Sequence, residues 1–473
     1  MKQYRVLDLF AGAGGFSTGF LMSATPGARF EIVKALDNDP DACKTLENHL
    51  GRQKVLQGDV TADSTKERLI AECRDVDVII GGPPCQTFSM VGPSRSGSTE
   101  MREALKNDSR NRLYLHYFDV VSAIRPKFMV FENVEGIVSK EMDFDGMSSG
   151  QKRAIDTICD EIEAMGYSTR VETGLVNRYQ VLDAADFGVP QHRKRVIIIA
   201  NRLGVPNPVP EKRYGVGKPH RTLSEAIQDL PMVLPVLNGF KPSLKNMDII
   251  LSELDQSLLS FVENINLLSR TYAGRSEVES VQFRDLRTFI NDAYRKIAGR
   301  KYKRKHLLDE FITTYNELAS RYHEEGVMFN PETSHRSRVH NFRDVVMFSH
   351  MKPGSNSTWF MNERAAEYDQ FLDRLYPYDK AKHQDTYVKH AWDKPSRTIL
   401  SHMQKDGLRF IHPDQPRTFT PLEAALIQSF PRDYVFSGGR NAQYRQIGNA
   451  VPPLMAKSIG EALLGALLTA DSL

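Results

Sequence analysis

Tyr4-Arg5-Val6-Leu7-Asp8-Leu9-Phe10-Ala11-Gly12-Ala13-Gly14-Gly15-Phe16 joins an apolar run to a glycine-rich turn and then to the start of a helical pattern. Glycine lets a chain turn tightly and lets a ligand approach the backbone closely, and a helix start offers free N–H groups. Such a turn also serves packing, so alone it leaves cofactor binding and packing open. The same apolar-run-then-turn pattern recurs at Phe30 to Leu36, Val76 to Ile80, Phe128 to Phe131 and Val196 to Ala200. Helical stretches lie between: Asp39 to Leu50, Leu113 to Ile124 and Lys152 to Met165. Alternation of this kind predicts an α/β domain with a mostly parallel sheet, whose ligands sit at the carboxyl ends of the strands.

Chemistry-bearing residues collect at those ends. Leu36-Asp37-Asn38-Asp39 closes the second strand, and Gly58-Asp59-Val60 closes a third apolar stretch. An acid at such a turn accepts hydrogen bonds from ribose hydroxyls or an adenine amino group. Equally, Asp37 and Asp59 suit helix N-caps. Three turns in register favour a nucleoside pocket, and no GxxxxGK[ST] phosphate loop is present. Ile80-Gly81-Gly82-Pro83-Pro84-Cys85-Gln86 places a cysteine between rigid prolines and polar residues, whereas most cysteines are buried and inert. Phe128-Met129-Val130-Phe131-Glu132-Asn133-Val134 ends in an acid. Parallel strands therefore bring a thiol and a carboxyl to one crevice. A thiol with a pKa near ~8.5 needs positive charge to become a nucleophile. Gln191-His192-Arg193-Lys194-Arg195 can supply it, or it is a solvated basic turn.

The length of 473 residues suits two or three domains. A composition of 41% hydrophobic and 26% charged residues is that of a globular protein, and a net charge of +3 alone does not argue for nucleic acid. No window reads as a membrane span, and the start does not read as a signal peptide, so the chain is expected to begin in folded structure, in the cytosol or on a chromosome. The 4 cysteines form no CxxC pair and no Cys/His cluster with zinc spacing, so neither a disulfide framework nor a metal is expected.

After Asn201 the alternation stops. Residues 204 to 220 are rich in Pro, Gly and Lys/Arg, as in a linker. Met247, Leu251, Leu254, Leu258, Phe261, Ile265 and Leu268 form an amphipathic seam, repeated by Leu308, Phe311, Tyr315, Leu318 and Tyr322. These predict a helical insert over about 244–325, carrying the basic run Arg300 to His306. Residues 333 to 412 hold short strand-like pieces with many His and Arg, and an amphipathic helix over about Pro453 to Leu468 closes the chain. The expected division is a domain of 1–201, completed by 453–473, and a second domain of 202–452.

Phe10 to Phe16, Pro83 to Gln86, Glu132 to Val134, Gln191 to Arg195 and Gln446-Ile447-Gly448-Asn449-Ala450-Val451 together resemble the ordered motifs of DNA cytosine-5 methyltransferases. Arg417 to Pro431 resembles the motif before the last. The match covers about residues 1 to 201 and 391 to 468. It implies a Rossmann-like, S-adenosylmethionine-dependent catalytic domain and a smaller target-recognition domain. It implies that Cys85 adds to C6 of a cytosine flipped from duplex DNA, that Glu132 engages N3, and that Arg193 and Arg195 contact the flipped nucleotide and its phosphate. Phe10, Ala11, Gly12, Gly15, Asp37, Asn38, Asp59, Val60, Pro84, Leu113, Asn449 and Ala450 would line the cofactor pocket. Residues 88–110 look like the family's mobile loop, with Gln86, Ser89 and Arg110 toward DNA. The middle region is longer than in the smallest members. Its Arg336, Arg338 and Arg343, with Arg397 beyond, are candidate DNA contacts, or parts of a solvated basic surface. The insert is expected to be a bundle packed on the recognition domain, a further DNA contact, or a coiled coil for a partner.

Two rivals share these motifs: an RNA cytosine-5 methyltransferase, and a DNA-binding regulator that has lost its chemistry. The Cys-Phe-Thr signature of the tRNA-modifying branch is absent, and Cys85, Glu132, Arg193 and Arg195 are intact. Gly82-Pro83-Pro84-Cys85 also stands where an amino-methyltransferase would carry Asp/Asn-Pro-Pro-aromatic. The stand-alone format resembles a monomeric bacterial or phage enzyme of the cytoplasm or nucleoid, with a restriction endonuclease as a possible partner.

Overall fold

A computed structural model gives the fold. It describes residues 1–84, 113–142, 152–171, 178–238, 304–325 and 334–472, with scattered positions between 256 and 295. Two compact units emerge: Met1–Arg221 with Pro395–Ser401 and Ala425–Leu473, and Thr222–Lys394 with His402–Ala424. The division differs from the boundaries expected at 201 and 453: residues 395–401 and 425–452 join the first unit.

The first unit is built on one sheet. Its strands are β1 (Lys2–Leu9), β2 (Ala24–Thr25), β3 (Ala28–Asp37), β4 (Val55–Gln57), β5 (Val78–Gly81), β6 (Phe128–Val134), β7 (Gln180–Asp183) and β8 (Lys194–Asn201). The order is β2-β3-β1-β5-β6-β8-β7, with β4 also on β3. β3, β1, β5 and β6 run parallel, as does β4 with β3, while β8 is antiparallel to both β6 and β7.

Both faces are buried, and the period of two sorts the side chains between them. Tyr4, Val6, Val78, Ile80, Phe128, Val130, Ile197 and Ile199 join one core; Leu7, Leu9, Ile79, Met129, Phe131, Val196 and Ile198 join the other. The first face is covered by α1 (Gly15–Leu21), through Phe16 and Phe20, and by the closing helix Pro453–Asp471, through Met455, Ile459, Leu463 and Leu467. The second is covered by helices Leu113–Ile124 and Ala154–Ala164. The stretch Arg440–Asp471, which ends in this helix, is long and apolar enough to cross a membrane by composition alone, but much of it is buried and its apolar face is spent in this core. Asp471 near its end is bound by Tyr4 Oη (2.5 Å) and Lys127 Nζ (3.1 Å), which ties it to β1 and the foot of β6.

Residues 204–220 are no loose linker. The amides of Arg213 and Tyr214 donate to the Asp186 carbonyl (2.9 and 3.1 Å), and Lys212 and His220 meet the Asp186 carboxylate (2.9 and 3.0 Å).

Among the described residues, the second unit is held by an apolar core. Phe261, Ile265 and Leu268 from one seam, and Leu308, Phe311 and Tyr315 from the other, meet Phe342, Val345, Phe348 and Tyr387 in it. The described part of the insert is thus integral to this unit. Asn316 of helix Arg304–Glu325 confirms it: both ends of its amide pair with the backbone of Leu237 (2.8 and 2.9 Å), which lies in a strand, Val236–Asn238, paired with Val339–Asn341.

Candidate active site

The antiparallel turn of β8 decides which residues meet. Its first residues lie beside the last residues of β6, with Arg195 opposite Val134 and Ile197 opposite Glu132. A basic segment at the start of one strand therefore reaches the carboxyl ends of the others. β6 also runs past the expected end at Phe131, which fixes Glu132 in the sheet.

Glu132 is buried, and Arg195 forms an ion pair with it, Nε standing 2.9 Å from Oε1. Burial pushes the Glu132 carboxyl above the usual carboxylate range, against the pull of Arg195 and Arg193; burial likewise lowers Arg195, against the pull of Glu132. Gly82, just past β5, explains its own identity: a Cβ there would sit 2.6 Å from Glu132 Oε2. Asn133 Nδ2 donates to the Pro83 carbonyl at 3.3 Å and holds the Pro-Pro turn against β6. Pro84 is exposed. Cys85, Gln86, Ser89 and Arg110, and with them the loop at 88–110, lie outside the described residues.

Along the same edge, the turn after β1 closes on β3. Ala11 N donates to Leu36 O (2.9 Å), and Gly12 N donates to Asp37 Oδ2 (2.8 Å). Asp37 Oδ1 accepts from Asp39 N (2.9 Å), and burial raises the Asp37 carboxyl. Capping of helix Pro40–Leu50 falls to Asp39 instead, so the N-cap alternative for Asp37 does not hold. Phe10 takes a left-handed φ of 58°, an unfavourable state for a bulky residue, at a turn that leaves its ring half-buried. Phe10 and Leu113 pack on the same core cluster. Asp59 is exposed and binds Thr61 N (2.9 Å) and Thr61 Oγ1 (2.8 Å), contacts that lower its carboxyl; it does not cap helix Asp63–Glu72. Val60 and Ala11 are buried, and Asn38 is exposed. Gly15 meets the closing segment so tightly that a Cβ there would collide with Val451 O.

Arg193 departs from expectation. It is buried, and its guanidinium donates to Ile399 O (2.9 Å), Gly448 O (2.8 Å) and Ala450 O (3.1 Å). It is a tie between chain segments, which leaves Arg195 as the member of the pair beside Glu132. Gln191 and Gln428, given no role by sequence reasoning, extend the tie. Gln191 Oε1 accepts from Ile399 N (2.7 Å), Gln191 Nε2 donates to Gln428 Oε1 (2.5 Å), and Gln428 Nε2 donates to Ala450 O (2.7 Å). The signal was available: both are uncharged amides inside quoted motifs, a residue type that is buried only when bonded. Ala450 is buried by this network, and Asn449 beside it is exposed.

The basic candidates separate. Arg397 is exposed and belongs to the first unit. Arg336 is exposed, and Arg338 donates to Gln404 O (3.0 Å) in the second unit. Arg343 is buried and paired with Asp344 (2.8 Å), which also accepts from Tyr387 Oη (2.8 Å). The expected DNA contact by Arg343 is therefore corrected: its charge is consumed in the core.

The model of the C-5 cytosine-specific DNA methylase family matches residues 4–465. The type II methyltransferase M.AgeI of Thalassovita gelatinovora is 31% identical, over 97% of this chain and 99% of its own. The type II methyltransferase M.Bpa9945I of Bacillus paralicheniformis is 29% identical, over 97% and 98%. A solved structure, described as a DNA modification methyltransferase encoded within an E. coli prophage, shares the fold with a TM-score of 0.55 at 20% identity, over 98% of this chain and 99% of its own.

Proposed function

The chain belongs to the C-5 cytosine-specific DNA methylases and is a DNA cytosine-5 methyltransferase, and from that premise we propose how its residues divide the work. The observation that carries the reading is the buried Glu132–Arg195 pair, set against Gly82 at the strand edge that leads into Cys85.

A cytosine flipped out of the duplex enters beside Glu132, at an unstacking cost of a few kcal/mol. The Cys85 thiolate adds to C6, forming an S–C6 bond and breaking the ring's aromaticity. Glu132, held toward its protonated state by burial, gives N3 a proton or hydrogen bond that absorbs the charge of addition. Arg195 orients that carboxyl. C5 is now electron-rich. Once it is methylated, the C5 proton passes to water, the C5–H electrons re-form the C5–C6 double bond, the S–C6 pair leaves on Cys85 as thiolate, and N3 returns its proton to Glu132.

The carboxylate Asp37, the exposed edge of Phe10 and the turn at Gly12 suit an adenosine group. Asp37 would hold the ribose, Phe10 and Leu113 would flank the adenine, Asp59 would face its amino group, and Asn449 and Ala450 would close the pocket. When bound, S-adenosylmethionine supplies the electrophilic methyl group. The second unit selects the target sequence. Relatives that are type II methyltransferases support a role as the modification partner of a restriction endonuclease, and the proposed working form is a monomer. Sequencing the methylome of cells that express the chain tests this. One recurring sequence should gain 5-methylcytosine; DNA left without new 5-methylcytosine overturns the reading.

A further inference from the structure

The segment Lys212–His220 has an outward side that the mechanism leaves without a role. It is fastened at the edge where Glu132 and Arg195 lie: Asp186, which anchors it, follows β7, whose Asp183 pairs with Lys194 at the start of β8. The His220 ring stands 5.2 Å from His192, edge to face, so the loop abuts the residue that precedes Arg193. Two cations are spent as fasteners, Lys212 on Asp186 (2.9 Å) and Arg213 on Glu461 (2.6 Å). The tip is a tight turn. Gly215 and Gly217 have φ of 82° and 72°, Gly215 N donates to Lys218 O (2.7 Å), and Val216 between them is 82% exposed. Lys218, also exposed, stands over the Tyr214 ring at 4.2 Å.

Alternation then sorts the neighbouring strands. Gln191, Arg193 and Ser396 point inward and are buried; His192, Lys194 and Arg397 point outward and are exposed. A backbone bridge between Gln191 and Ser396 brings His192 and Arg397 side by side. Among the described residues, Asp183 pairs with His192 (3.0 Å), Asp186 with Lys212 and His220, and Glu135 with Lys194 (3.5 Å), partly exposed pairs that a phosphate can take over. The rim thus offers basic side chains around a projecting turn, held in place before any ligand arrives.

We propose that this rim, made of the tip at Val216 and Lys218 with His192, Lys194 and Arg397, contacts the phosphates of duplex DNA beside the Glu132 pocket. The proposal rests on the DNA substrate argued above and adds a surface of the catalytic unit to it. Phosphate contacts of this kind fix the register of the duplex without reading its sequence.

The test is binding of the full-length chain to mixed-sequence duplex DNA by fluorescence anisotropy, over a series of salt concentrations. Lys218→Ala combined with Arg397→Ala should weaken all sequences alike and lower the salt slope of log K by about 2. Val216→Asp should raise Kd about fivefold at low salt, and Val216→Lys should lower it by a similar factor. A tighter-binding variant cannot arise from misfolding, and unchanged calorimetric binding of S-adenosylmethionine checks the fold of the others. If the wild type binds duplex DNA while all three variants keep its Kd and salt slope, the rim is wrong and the substrate stands. If the wild type shows no affinity for duplex DNA, both fall.

Discussion

Each unit buries a glutamate beside an arginine, and the two pairs behave in opposite ways. In the second unit, Glu423 accepts both arms of Arg417 (2.7 and 2.6 Å) and the amide of Thr420 (2.8 Å). Burial alone would raise its carboxyl, but Arg417 pulls it down to about 2. In the first unit, Glu132 meets Arg195 through one nitrogen at 2.9 Å, and burial wins. A carboxylate saturated by a bidentate partner is a fastener. One left with capacity and held toward its neutral form is suited to proton chemistry. The geometry of the partner, more than burial, separates the two roles.

The largest expected effect would come from breaking the reactive pair. Glu132→Gln keeps the shape and removes the acid. Single-turnover methylation should slow by about 100-fold to 10,000-fold while the melting temperature barely moves. Unchanged turnover removes Glu132 from the mechanism. Its counterpart in the second unit should respond in the reverse sense. Arg417→Met strands a buried carboxylate and should cost about 3–5 kcal/mol in chemical denaturation. A variant as stable as the wild type would show that Arg417 is no fastener.

The two kinds of carboxyl also predict opposite pH limbs. Glu423 is depressed in the fold, so its stabilisation is present above the unfolded carboxylate value and is lost as pH falls toward about 2. Asp8, buried with Ser17 Oγ as its donor (2.6 Å), is raised to about 7 by burial. The stabilisation of its protonated form is therefore complete below the unfolded value and is lost as pH rises through about 7. Relative to wild type, Asp8→Asn should gain roughly 2 kcal/mol between pH 5 and 8, measured by denaturation at each pH. A constant difference across that range contradicts the assignment. A smaller effect is expected at Asp37, where replacement by Ala should weaken S-adenosylmethionine binding by about 1–3 kcal/mol through loss of a buried charged acceptor. Equal affinities in calorimetry would show the ribose assignment to be wrong.

How much of this was legible follows from the range of the contacts. β1, its turn, Asp37 and Glu132 could be placed from sequence because apolar period and turn chemistry are local signals. Arg193 could not, since the carbonyls that consume it lie 206 and 255 positions away. The same long-range ties carry residues 395–401 and 425–452 into the first unit, against the boundary expected from periodicity. Residues 204–220 looked like a linker because Pro and Gly mark irregular backbone, yet Asp186 supplies the fastening that composition does not reveal. Arg343 looked like a DNA contact in a basic run; its neighbour Asp344 and the distant Tyr387 bury it.

The proposed mechanism requires the adjacent strands β6, which holds Glu132, and β5, which leads into Cys85, to bring the two reacting groups together. Duplex DNA carrying 5-fluorocytosine at the target tests it most directly, because fluorine at C5 blocks the elimination that frees the thiol. Mass spectrometry of the trapped complex should find the DNA joined to the peptide that contains Cys85, and Cys85→Ser should form no adduct. DNA joined to any other residue, or full turnover of the fluorinated duplex without an adduct, would contradict the account.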